Sequence, residues 1–237
     1  MRLVKLIANL GYGSRKEIQA AIRNGWVTDC GGTKLKPDSK TAHEDILFDD
    51  APLDPAPGMV LLMNKPLGYT CSTKDQGRLV YDLLPGRFRL RKPPVSTVGR
   101  LDKETSGMLL FTDDGTFLHR VISPKSDVPK VYEVTLDRPL RGDEGKLFAS
   151  GGMMLESETK PLKPAALEVL SETHVRLTLH EGRYHQVRRM FAATGNHVVT
   201  LSRIRIGGLE LDALEEGSWR LLDETDKARI FSITPEA

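Results

Sequence analysis

Cysteine is scarce in this 237-residue chain, which carries only Cys30 and Cys71. They form no CxxC pair, which excludes a disulfide framework and a thiolate metal site of the usual spacing, and the economical reading is two free thiols in a reducing cytoplasm. Long apolar runs are also missing. Nothing approaches the roughly 20 apolar residues of a membrane span. The short run Leu3 to Leu10 is broken by Lys5 and Asn9 and followed by the charged Ser14-Arg15-Lys16-Glu17, so no signal peptide is expected. Gly11-x-Gly13 lacks a third glycine and a preceding strand, which excludes a dinucleotide fingerprint. His180 and His185 stand five apart rather than four, so they miss the shared helix face of an H-E-x-x-H zinc site. Neither a metal nor a cofactor is expected.

What remains is a chain with 39% hydrophobic and 28% charged residues, long enough for one large domain or two unequal ones with a sizeable core. Its net charge of +2 says little about partners; the distribution says more. Between Gly182 and Leu209 there is no acid, but there are five arginines: Arg183, Arg188, Arg189, Arg203 and Arg205. That asymmetry reads as an anion-binding surface rather than a mixed, solvated helix. A second basic stretch, Gly86 to Lys103, sets Arg87, Arg89, Arg91, Lys92, Arg100 and Lys103 against the single acid Asp102. It reads either as a phosphate-steering element or as a disordered charged loop, with Arg100 fitting the loop reading less well.

The first 50 residues form a unit. Leu3, Leu6, Ile7 and Leu10 fall at helical spacing. Ser14 and Glu17 make an S-x-x-E capping box for a second helix, which Gly25 stops. A hairpin of Trp26-Val27-Thr28 and Thr33-Lys34-Leu35 follows, then a strand at Ile46-Leu47-Phe48. Arg2, Lys5, Arg15, Lys16 and Arg23 lie on or beside the helices, either as a solvated face or as a binding face for RNA backbone. The pattern, with Ser14-Arg15 opening the second helix, resembles the S4 RNA-binding domain. Ala51 to Pro57 holds three prolines in seven residues and reads as a stiff linker.

From residue 58 to 237 the pattern is of strands with occasional helices. Met59 to Met63 is an apolar run that ends in the loop Asn64 to Tyr69. Met108 to Phe111 reads as a buried strand, and Asp113 or Asp114 as the cap of a helix whose Phe117, Leu118, Val121 and Ile122 face the core. Lys130 to Leu136 alternates, with Tyr132 on the face of Val134 and Leu136. Val187, Met190, Phe191 and Thr194 share one helix face, which sends Arg188 and Arg189 to the flanks. The stretch Val98 to Leu110 places Asp102 among basic neighbours in a turn that runs into a strand. An aspartate there ordinarily caps backbone amides.

Taken together, Lys65-Pro66-x-Gly68-Tyr69, Gly99-Arg100-Leu101-Asp102-x-x-Thr105-Ser106-Gly107, Lys130-x-Tyr132, Gly182 to Met190 and Ile206-Gly207-Gly208-x-x-Leu211 resemble the bacterial pseudouridine synthases of the RsuA and RluB/E/F group. Thr159 to Ala165 and Met190 to Val199 look most like the RsuA type, which modifies small-subunit ribosomal RNA. The resemblance spans essentially the whole chain. It implies an α+β protein, with an S4 domain over residues 1–50 and a linker over 51–57. A mixed, largely antiparallel sheet domain with flanking helices then covers 58–237.

The implied reaction breaks the N1–C1′ bond of a uridine, rotates the base and joins C5 to C1′, with no redox partner or metal. Asp102 is the implied carboxylate, attacking C6 or C1′ or assisting loss of the base. Arg188, or failing it Arg189, is the cation beside it. Tyr132 stacks on the flipped uracil and helps remove the C5 proton. Arg100, Lys65, Arg183, Gln186, Arg189 and Leu201 are the expected substrate contacts, with Ile204 an alternative to Leu201 and core packing the ordinary role of both. Arg2, Lys5, Ser14, Arg15, Lys16 and Arg23 are the expected RNA contacts of the S4 domain. The expected partner is small-subunit ribosomal RNA or its assembly intermediate, met by a cytoplasmic monomer without a membrane. The alternatives are the same chemistry on large-subunit RNA and a noncatalytic ribosome-binding factor.

Overall fold

The apolar residues at helical spacing near the start of the chain fold as α1 (Leu3–Asn9), which buries Leu3, Val4 and Ile7. The computed structural model describes residues 2–73 and 75–232. α2 (Arg15–Asn24) is entered through the expected capping box: Ser14 Oγ accepts the Glu17 N–H at 3.3 Å, and Glu17 Oε2 accepts the Ser14 N–H at 2.6 Å. Gly25, left-handed at φ 77°, ends it. Ile18, Ala21 and Ile22 pack on α1 in a small core that also takes Val27, Leu35 and Ile46.

Three short strands cover this core: β1 (Val27–Asp29), β2 (Ile46–Phe48) and β3 (Ala51–Pro52), antiparallel in that order. The expected return strand at Thr33 to Leu35 keeps one bridge, Thr28 to Lys34. The turn before it closes instead on the Asp29 carboxylate, which accepts the N–H groups of Gly31 and Thr33.

The proline-rich segment is less free than its composition implies. Its first two residues complete the N-terminal sheet as β3, and the rest is fastened on both sides. Asp54 donates its N–H to Tyr12 Oη at 2.9 Å and pairs with Arg87 at 2.6 Å. Arg91 donates to the carbonyls of Pro55 and Ala56. The Lys92 N–H reaches Asn9 O at 2.8 Å, so the small unit is sewn to the large one directly.

The larger unit contains, in chain order, β4 (Val60–Lys65), β5 (Ser96–Val98), β6 (Ser106–Thr112), α3 (Gly115–Ile122), β7 (Lys130–Leu136), α4 (Glu144–Ala149), β8 (Ala166–Val169), β9 (His174–Leu179), α5 (Gln186–Ala193), β10 (Val198–Ile206), β11 (Leu209–Glu210), β12 (Trp219–Leu221) and α6 (Glu224–Ile230). The strands form one sheet in the order β12-β4-β6-β10-β7-β9-β8, with β5 on β6 and β11 on β10. Every pairing is antiparallel except that of β6 with β10. The mixed, largely antiparallel sheet is therefore present.

Alternation along β4 and β6 sends Leu61, Met63, Leu109 and Phe111 into one core, under α5 and α4. Val60, Leu62, Met108 and Leu110 enter the other, under α3 and α6. Each such side chain contributes on the order of 2 kcal/mol by leaving water.

One expectation is resolved between its two candidates here, and one changes. Asp114 is the cap of α3, while Asp113 is buried in an ion pair with Arg91 at 2.8 Å. Ile122 is exposed at the end of α3 instead of facing the core. The first part of the basic run is ordered and paired: Gly86–Leu90 is a 3₁₀ turn, Arg87 pairs with Asp54 and Arg89 with Asp82. Acids outside the run, 7 to 33 residues away, neutralise Arg87, Arg89 and Arg91.

Candidate active site

The parallel junction of β6 and β10 creates the site. Ser202 pairs with Ser106 and Arg203 with Gly107. At Gly107, φ is +96°, and a Cβ there would sit 2.3 Å from the Arg203 carbonyl oxygen, so only glycine lets the strands approach this closely. On the other side of β10, the register places Leu201 opposite Val134 and Arg203 opposite Tyr132. Directly opposed residues share a face of the sheet. Lys130, Tyr132, Leu179, Leu201 and Arg203 accordingly line one cavity of about 480 Å³, within the usual range for a small-molecule site. Its rim is made by the segments around Arg100 to Asp102, Ile122 to Pro124 and His180 to Val187.

The loop carrying Asp102 is fixed by its neighbours. The Leu101 N–H donates to Cys71 Sγ at 3.4 Å, and the Gly68 N–H to Lys103 O at 2.9 Å. Arg188 Nη2 donates to Glu104 O at 2.7 Å, Lys65 Nζ to Thr105 O at 2.7 Å, and the Thr105 N–H returns to Asp102 O at 3.1 Å. Five hydrogen bonds over five residues hold the carboxylate in place before any ligand arrives, which is the preorganisation a reacting group needs.

These bonds revise several expected contacts. Lys65 is fully buried and gives its amine to the carbonyls of Pro66 and Thr105, so it braces the loop. Burial also lowers its pKa from the ordinary lysine value. Arg188 makes no ion pair with Asp102; its guanidinium ties Glu104 O to Val198 O. Arg189 is held by Glu158 and by the carbonyls of Tyr184 and Glu156. Arg183, although it lines the cavity, pairs with Glu158 at 2.8 Å and Glu181 at 3.0 Å and donates to two further carbonyls. Gln186 is buried, accepts the Arg183 N–H and donates to Glu181. The arginines of this segment therefore build the wall. Arg100, exposed on the rim, and Leu201, buried in the floor, both line the cavity.

The group beside Asp102 is His185, whose Nε2 lies 3.4 Å from Asp102 Oδ1. His185 adopts a left-handed backbone (φ 48°, ψ 34°) as the N-cap of α5, a conformation costly for a residue with a Cβ. Its ring stacks on the exposed Tyr184 at 3.9 Å. Three further groups in the cavity lie in stretches that the sequence reading singled out, but were given no role in the site. Thr105 is buried with its hydroxyl unpartnered among the described residues, and so is Nη2 of Arg203. Lys130 is largely buried, and desolvation with repulsion from Arg203 pushes its pKa down to about 8. Strand periodicity could have found them: Lys130 and Arg203 fall two residues from Tyr132 and Leu201.

Known proteins are similar to this chain. The family described as RNA pseudouridylate synthase matches residues 59–193. The ribosomal small subunit pseudouridine synthase A of Escherichia coli K12 is 44% identical over 236 residues, covering 97% of this chain and all of the relative. The chain belongs to the RNA pseudouridylate synthase family. The protein of the same name from Yersinia pestis is 40% identical over 97% of this chain and 98% of its own. A solved pseudouridylate synthase matches at a TM-score of 0.69 and 38% identity, over 97% of this chain and 99% of that one. In this pseudouridylate synthase the family match begins at β4 and ends with α5. It includes Asp102 and Tyr132 but stops short of Leu201 and Arg203. Among the described residues no group of three or more histidines, cysteines, aspartates or glutamates is placed to hold a metal ion, and no helix is long and apolar enough to cross a membrane.

Proposed function

We propose that the protein converts one uridine of small-subunit ribosomal RNA to pseudouridine, with Asp102 as the reacting carboxylate. One observation carries the assignment. Of the carboxylates lining the cavity, Glu181 is engaged by Arg183 and Gln186, whereas Asp102 has no arginine or lysine within ion-pair distance among the described residues. A rigidly held but uncommitted carboxylate is what N-glycosidic chemistry requires. In that chemistry the N1–C1′ bond breaks with its electron pair passing to the base, the C5–C1′ bond forms, C5 loses a proton and N1 gains one. The target uridine flips from its stack into the cavity, over the Tyr132 ring. Arg100 on the rim faces the phosphate or the gap left behind. Arg188 acts through the loop it fastens and is a positioning residue.

The small-subunit substrate rests on the full-length similarity to relatives bearing that name. The N-terminal unit is an S4-type RNA-binding domain in this reading. Arg2, Lys5, Arg15, Lys16 and Arg23 are all exposed there, beside Ser14, whose hydroxyl also caps α2. Such a face supplies backbone contacts that weaken with salt. A monomer working in the cytoplasm completes the proposal.

The test is tritium release from C5-labelled ribosomal RNA. Small-subunit RNA, bare or carrying early-binding ribosomal proteins, is the expected substrate. Release confined to large-subunit RNA would reassign the substrate, and no release from either would leave an RNA-binding factor as the better account.

A further inference from the structure

Arg203 is a misplaced charge by the ordinary rules of packing. It is 2% exposed, it sits in the middle of a sheet, and it has no carboxylate partner within ion-pair distance among the described residues. A buried guanidinium without a counter-ion is expensive, and mutation to an apolar residue of similar length would relieve the cost. Its Nε is fixed by Met108 O at 2.8 Å, which sets the plane of the group, yet Nη2 is buried without a partner among the described residues. The side chain lines the catalytic cavity on the same sheet face as Tyr132, its register partner, and Leu201. Thr105, another buried polar group without a hydrogen-bond partner among the described residues, lines the cavity from the Asp102 loop.

We infer that Arg203 contacts the flipped uracil itself, its guanidinium donating to a ring carbonyl oxygen and stabilising the negative charge that the base acquires when N1 leaves C1′. This rests on the proposed function and adds a named residue to it. Uracil presents O2 and O4 as acceptors, and the N1–C1′ electron pair delocalises onto both once the bond opens. A fixed donor pointing there is worth more to the departing anion than to the neutral base, which is the condition for lowering the barrier. The same donor can be used twice: after the base turns to offer C5, the other carbonyl takes the place of the first. No co-reactant enters, because the electrons that leave with N1 return through C5 and the C5 proton is replaced at N1. The unused valence of Arg203 is thereby explained by the substrate, and so is its tolerance of burial.

The experiment pairs protein and substrate changes. Single-turnover tritium release is measured with saturating wild type, Arg203→Met and Arg203→Lys, after their affinity for the RNA and their thermal unfolding are recorded. The target uridine mapped with wild type is then replaced by 2-thiouridine or 4-thiouridine, whose sulfur is a poor acceptor. Arg203→Met should slow release about 100-fold, the scale of a lost oxyanion donor. RNA affinity should change by less than about threefold, and Arg203→Lys should recover part of the rate. At least one of the two thio substitutions should slow wild type, and should add nothing in Arg203→Met. Equal sensitivity of wild type and Arg203→Met to both sulfurs would overturn the inference while leaving the isomerase reading intact, as would a full rate in a folded Arg203→Met. If Arg203→Met does not fold, the thio sensitivity of Arg203→Lys decides: it should be reduced, and an unchanged value contradicts the contact. A wild type that releases no tritium from any ribosomal RNA removes the proposed function and this inference together.

Discussion

Two sets of basic residues differ sharply in this molecule. Arg87, Arg91, Arg183 and Arg189, on loops and helix flanks, look free in the sequence and are tied down in the fold by Asp54, Asp113, Glu158 and Glu181. Lys130 and Arg203, on apolar strands, carry no site role in the sequence reading and line the cavity with no carboxylate within ion-pair distance among the described residues. The lesson concerns distance along the chain. A run empty of acids is not an unpaired run when the fold brings acids from 22 to 33 residues away, as it does for Arg91, Arg189 and Arg87. The paired set should therefore govern stability, and the strand set should govern chemistry.

The largest stability effect belongs to Arg91. Its ion pair with Asp113 is buried on both sides, and it also holds the carbonyls of Pro55 and Ala56. Arg91→Ala should cost about 3–5 kcal/mol in urea unfolding, because Asp113 is left as an uncompensated buried charge. A loss under 1 kcal/mol would place Arg91 among dispensable surface charges.

Lys130 should behave in the opposite sense. Its folded pKa, about 8, lies below that of the unfolded chain, so burial penalises the charged form. The penalty is full below pH 8, where both states are protonated. Stability then rises with pH between about 8 and 10.5, where the unfolded chain still binds the proton that the folded one has lost. Lys130→Met should be more stable than wild type by up to about 3 kcal/mol at pH 7, with the difference shrinking towards pH 10.5. A pH-independent difference in the urea midpoint would contradict this.

Arg87 lies over the Tyr12 ring at 4.2 Å while pairing with Asp54, on the seam between the two units. Arg87→Ala should cost about 1 kcal/mol and raise amide exchange along the seam with no change in single-turnover rate. Glu158 gives the smallest effect. Hydrogen bonds from Arg183 and Arg189 hold its pKa below the usual carboxylate value, so its stabilisation is present above the unfolded pKa and is lost as pH falls through the folded one. Glu158→Gln should lower the unfolding temperature slightly at neutral pH and flatten the acid limb below about pH 4.5, so that the variant and wild-type profiles converge in acid.

The same contrast explains what the sequence made legible. Local signals were sound: the Ser14–Glu17 box, the face of Val187, Met190 and Phe191, the alternation around Tyr132 and the turn bearing Asp102 all stand in the structure. Contacts between distant segments were not legible. Nothing in Lys65-Pro66 announces that the lysine points back to Thr105, and nothing in the helix flank of Arg188 announces Glu104 and Val198. The proline-rich segment was read from composition, which cannot register the hydrogen bonds that pin Asp54, Pro55 and Ala56. Arg203 was visible as a charge, but its burial depends on the close approach at Gly107, a property of two strands together.

The central claim is that Asp102 performs the chemistry in a loop whose geometry other residues maintain. Single-turnover tritium release from C5-labelled small-subunit RNA with Asp102→Asn, beside wild type and with RNA affinity measured in parallel, tests it most directly. The account predicts that release is abolished while affinity stays within a few-fold. Near-wild-type release from the asparagine variant would contradict it.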